Sequence, residues 1–108
     1  MSDFAKTPEP PYYAVIFSTW RTEGNNGYKE MARKMVELAS QQNGFLGVES
    51  AREGQFGITV SYWDSLEAIQ NWKEHSLHKV AQEKGKKEWY ATFKLRVCKV
   101  ERDSYFEM

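Results

Sequence analysis

Cysteine occurs once in the 108 residues, at Cys98. No disulfide can form within the chain, which fits a reducing compartment. Cys98 falls in a strand-like stretch and reads as a small buried hydrophobe. An excess of charge is also lacking. Lysine plus arginine number 15 and aspartate plus glutamate number 15, a formal net charge of zero. Such a chain has no electrostatic footprint for nucleic acid. The one basic run, Lys84, Lys86 and Lys87, reads as a solvated helix end. No stretch approaches the ~20 apolar residues of a membrane span, and the N-terminus has no signal-peptide core. A soluble cytoplasmic protein with no nucleic-acid or membrane partner is the expectation. The glycines are isolated, so no phosphate-cradling loop is present. Histidine occurs only twice, at His75 and His78.

Aromatic residues, in contrast, make up 15% of the chain. The length suits one domain, and a domain of this size buries only about two thirds of its unfolded surface. Covering a face with a second copy would help it. The three prolines, Pro8, Pro10 and Pro11, mark residues 1–11 as an extended tail. That tail reads either as a loose lead-in or as an arm across a partner. Residues 12–108 read as a single domain.

Residues 12–20 (YYAVIFSTW) have a strand's composition. Ala14, Ile16, Ser18 and Trp20 share one face, and Tyr13, Val15, Phe17 and Thr19 share the other. A turn-rich loop leads into a helix over residues 28–42. Its apolar stripe is Tyr28, Met31, Ala32, Met35, Leu38 and Ala39, and Asn43-Gly44 ends it. Strands over 45–52 and 56–63 flank a hairpin turn at Glu53-Gly54-Gln55. Asp64, with Glu67 three residues on, is placed to cap a second helix. That helix should bend near Ser76 and run to about Lys87. A last strand covers residues 89–102.

The order β-α-β-β-α-β is the ferredoxin-like arrangement, an α+β fold. It places both helices on one face of a four-stranded antiparallel sheet. The strands are apolar on both faces, so the uncovered face predicts a homodimer related by a two-fold axis.

Three segments carry a family resemblance: YAVIF opening the first strand, NGFLGVES after the first helix, and VSYWDSLEAIQNWKEHSLH. The chain resembles the antibiotic biosynthesis monooxygenase superfamily of dimeric α+β barrels over residues 12–101. The resemblance implies a pocket between sheet and helices. It leaves several functions open: cofactor-free oxidation of a small phenol or quinol, haem degradation, or ligand binding without catalysis. The haem-degrading branch would need an asparagine on the first strand, where Phe17 and Ser18 stand. It would also need a histidine ten positions past Trp72, where Gln82 stands. Trp72 itself is where that branch has its tryptophan. No cofactor is therefore expected, with haem as the alternative.

Oxidation of a phenol by O2 without a cofactor needs a base, a dry aromatic cavity and a hydrogen-bond donor. His78 and His75 are the candidate bases, because imidazole titrates near neutrality. Trp72, Trp63, Tyr62, Trp20 and Phe17 are candidate walls for a small aromatic ligand, and Ser18 a candidate donor. Two histidines three apart could begin a metal site, but no third histidine and no cysteine lies nearby, so no metal is expected.

Overall fold

The computed structural model describes residues 4–22, 28–75 and 90–108. Four strands and two helices follow in the expected order. They are β1 (Tyr12–Arg21), α1 (Tyr28–Ser40), β2 (Phe45–Glu53), β3 (Phe56–Trp63), α2 (Leu66–Lys73) and β4 (Tyr90–Val100). The strands form one antiparallel sheet in the order β2-β3-β1-β4. The predicted continuation of the second helix, with His78 and Trp89, lies outside the described residues.

The two residue periods meet in a single core. Tyr13 and Val15 of β1 face the same way as Trp63 of β3, whose register pairs Tyr13 with Trp63. Ala39 from α1 and Ala68, Ile69 and Trp72 from α2 pack with Trp63, flanked by Met35, Leu38 and Phe45. Both helices thus cover one sheet face, as the order of elements predicts. The opposite face carries Ala14, Ile16, Ser18 and Trp20, paired with Tyr62, Val60, Ile58 and Phe56. Cys98, Arg96, Lys94 and Thr92 of β4 continue that face.

The caps refine the predicted boundaries. Ser65, not Asp64, is the N-cap of α2: its Oγ accepts from the Ala68 N–H at 3.0 Å. Asp64 instead donates its backbone N–H to the Gly44 carbonyl at 2.8 Å. This ties the end of β3 to the turn after α1. Gly44 has φ +89, and a Cβ there would lie 2.5 Å from Asp64 Oδ1 and 2.6 Å from the Ala68 Cβ. Only glycine meets both the left-handed backbone and the close approach.

Residues 4–11 run over the open face of the chain's own sheet. The Ala5 N–H donates to Glu49 Oε2 at 2.7 Å. A Cβ on Gly47 would lie 2.7 Å from the Ala5 Cβ, so the arm sits directly on β2. Phe4 meets Tyr105 edge-on, with ring centroids 6.4 Å apart.

Candidate functional site

On the helix side, aromatic rings form a ladder. Phe45 meets Trp63 edge-on at 5.4 Å. Trp63 and Trp72 stack with centroids 6.2 Å apart, and His75 lies 5.7 Å beyond Trp72 at an interplanar angle of 32°. Trp63 has no exposed surface, and its indole N–H donates to Ser61 Oγ at 2.9 Å. Trp72 is 8% exposed. The first part of the ladder is therefore core, and only its His75 end carries titratable chemistry.

His75 sits just past the last turn of α2. Its backbone N–H donates to the Trp72 carbonyl at 3.1 Å, which fixes the side chain against the indole. The Nδ1 atom is buried and has no hydrogen-bond partner among the described residues. A buried imidazole nitrogen without a partner is costly unless something fills the vacancy.

Further along the same face, Phe17 packs on Phe93 at 5.3 Å. Beyond them, Arg52 donates from Nη2 to Thr19 Oγ1 at 3.1 Å and from Nη1 to the Gln55 carbonyl at 3.0 Å. The guanidinium lies over Gly57, where a Cβ would come within 2.4 Å of Nη2. Thr19 itself is 3% exposed. A cation and a buried hydroxyl thus meet at one end of the helix-side face.

Two of the predicted wall residues and the predicted donor lie on the other side of the sheet. Ser18, Trp20 and Tyr62 all project from the open face, because backbone alternation reverses direction at each residue. They cannot line one cavity with Phe17, Trp63 and Trp72 inside a single chain. Trp20 is 54% exposed and packs on Phe56 at 5.0 Å. With Ser18, Thr92, Lys94 and Arg96, that pair lines an open groove of about 420 Å³.

Tyr62 belongs to a separate hydrogen-bonded patch. Its hydroxyl donates to Glu49 Oε1 at 2.8 Å, and its ring meets Tyr12 edge-on at 5.9 Å. Burial, followed by the Glu49 contact, pushes the Tyr62 hydroxyl up to about 12. The Tyr12 hydroxyl donates to Asp103 and accepts from Thr7 Oγ1 at 3.0 Å. Asp103 raises the Tyr12 pKa, an effect that Thr7 opposes. Sequence reasoning missed Thr7, Glu49 and Asp103. Strand alternation in β2 would have shown Glu49 facing Val60 on an apolar face. Asp103 lies 91 residues from Tyr12 and carries no local signal.

Among the described residues, no cluster of three or more metal-binding side chains occurs. No helix there is long and apolar enough to cross a membrane.

The profile of one family, described as antibiotic biosynthesis monooxygenase, matches residues 11–84. The chain belongs to that family. The match takes in β1, both helices, the ring ladder and His75. Relatives and structural neighbours agree with it. YqjZ, an uncharacterized protein of Bacillus subtilis (strain 168), is 56% identical over 109 residues, spanning 99% of this chain and 96% of its own. SnoaB, a cofactor-independent oxygenase from Streptomyces nogalater, superposes with a TM-score of 0.76 at 10% identity, covering 91% of this chain and 100% of that one. Rv0793 from Mycobacterium tuberculosis gives 0.74 at 10% identity, covering 86% and 97%. At such identities the likeness is one of fold, and this family fold is the ferredoxin-like α+β arrangement predicted from the order of elements.

Proposed function

We propose that this protein is a homodimeric, cofactor-independent oxygenase that acts on a small phenol or hydroquinone. The observation that carries the reading is the His75 imidazole, packed against Trp72 with its Nδ1 buried and without a hydrogen-bond partner among the described residues. A base in that setting accepts a phenolic proton in a dry site and leaves an electron-rich phenolate.

The chemistry needs no further redox partner. A hydroquinone and O2 give a hydroxyquinone and one water. The phenolate passes an electron to O2, and the resulting pair forms a carbon–oxygen bond at the ring. Removal of the proton on that carbon then breaks the O–O bond. One oxygen stays as a carbonyl and the other leaves as hydroxide, which takes up a proton. The substrate supplies all four electrons.

Roles follow from position. His75 is the first candidate base; His78, outside the described residues, is the second on the sequence alone. Phe17 is the candidate ring wall on the helix side, and Trp72, backed by Trp63, is the core surface against which His75 is held. Ser18, Trp20 and Tyr62 are assigned to the uncovered face, where a second copy packs. That face still exposes Trp20 and Ile58, at 54% and 38%. A two-fold pairing of identical faces covers them.

Oxygen uptake with a panel of benzo- and naphthohydroquinones tests the reading. Turnover should exceed autoxidation and fall on His75→Gln substitution. A folded protein that binds the quinols with no uptake above background would instead be a ligand-binding barrel. Haemin titration that produced a Soret shift would favour a haem protein.

A further inference from the structure

We propose that residues 104–108 of one copy form an arm that seats Phe106 in the Trp20–Phe56 groove of a second copy. The inference rests on the homodimer proposed above and adds what holds its two halves together.

The groove and the arm have matching chemistry. The groove offers Trp20 and Phe56, flanked by exposed Lys94 and Arg96. The C-terminal segment offers Phe106, 82% exposed, beside Glu107. An exposed ring next to a carboxylate complements an exposed aromatic pair next to two cations.

Distance excludes a chain's own groove. Tyr12 holds Asp103 at one end of the sheet, where Tyr12 pairs with Val100. Trp20, opposite Thr92, lies eight residues along β1, about 26 Å away at a strand's rise. Phe106 is three residues past Asp103 and reaches no more than about 11 Å from that anchor. Its own groove is therefore out of range.

A second copy is not. Two open faces packed about a two-fold axis that runs across the strands place the Tyr12 end of one over the Trp20 end of the other. Each arm then enters the other copy's groove, and the contact forms twice. The anchor is already built: Phe4 meets Tyr105, and the Tyr105 hydroxyl donates to Glu107 Oε1 at 2.8 Å.

The test uses the full chain. Sedimentation equilibrium compares wild type with Phe106→Ala, Lys94→Glu, Glu107→Lys and the Lys94→Glu/Glu107→Lys pair. Phe106→Ala should weaken the dimer about tenfold or more, as expected for a central aromatic anchor. The charge reversals should each weaken it, and the pair should recover most of the loss. In a Cys98→Ser background, a chain that keeps Phe106 and carries Thr92→Cys and Met108→Cys should oxidise to a covalent dimer.

A wild type that stays monomeric at micromolar concentration would remove both the homodimer and the arm. A stable dimer indifferent to Phe106→Ala would overturn the arm alone. So would a dimer in which the two cysteines close only within one chain.

Discussion

Trp63 and Trp72 stack with an interplanar angle of 27°, joining the last residue of β3 to the last turn of α2. Trp63 is wholly enclosed. Trp63→Ala should lower stability by about 3–5 kcal/mol, the range for deleting a buried aromatic ring. Urea denaturation measures it. A loss below 1 kcal/mol would mean the ring is not the centre of the core.

The two adjacent cap candidates of α2 can be separated. Ser65→Ala removes the acceptor for the Ala68 N–H and should cost about 1 kcal/mol. Asp64→Ala leaves the backbone bond to Gly44 intact and should cost less. Equal losses in thermal or chemical melts would contradict the Ser65 assignment.

Gly44→Ala should destabilise more than either. A left-handed backbone costs a non-glycine residue about 1–2 kcal/mol, and the new methyl meets Ala68 and Asp64. A variant as stable as wild type would show that this turn can relax.

Tyr62 provides a pH dependence with a definite sign. Its folded pKa is about 12, above the usual value of 10.0. The folded state therefore keeps this proton where the unfolded chain loses it. The associated stability is complete below pH 10 and is lost as pH rises towards 12. Tyrosinate absorbance should lose a late-titrating group in Tyr62→Phe, while the group that Asp103 raises at Tyr12 remains. Glu49→Gln should bring the titration of Tyr62 down, because Glu49 is the second cause of the shift after burial. A Tyr62 titration unchanged by Glu49→Gln would break the link between them.

Much of this was legible in the sequence, and the rest failed for physical reasons. Alternation in β1 and β3 located the strands and sorted each one's residues into two faces. Both faces of β1 are apolar, however, so composition could not say which one the helices cover. Trp20 and Tyr62 were consequently grouped with Trp63 and Phe17, from which the sheet separates them. The cap was misplaced by one residue because Asp64 and Ser65 are both good caps, and only the Oγ geometry separates them. The Glu49 and Asp103 contacts depend on chain crossings that no local spacing encodes. His75 was legible as a histidine near Trp72, but the burial of its Nδ1 required the fold.

The central claim is substrate oxygenation at His75, and 18O2 labelling tests it most directly. The protein is mixed anaerobically with a naphthohydroquinone and then exposed to 18O2. The product should be a hydroxyquinone carrying one labelled oxygen, formed with one O2 consumed per substrate. His75→Gln should slow its formation about a hundredfold, the scale of a lost general base. An unlabelled quinone, or a labelled product formed equally fast by His75→Gln, would contradict the account.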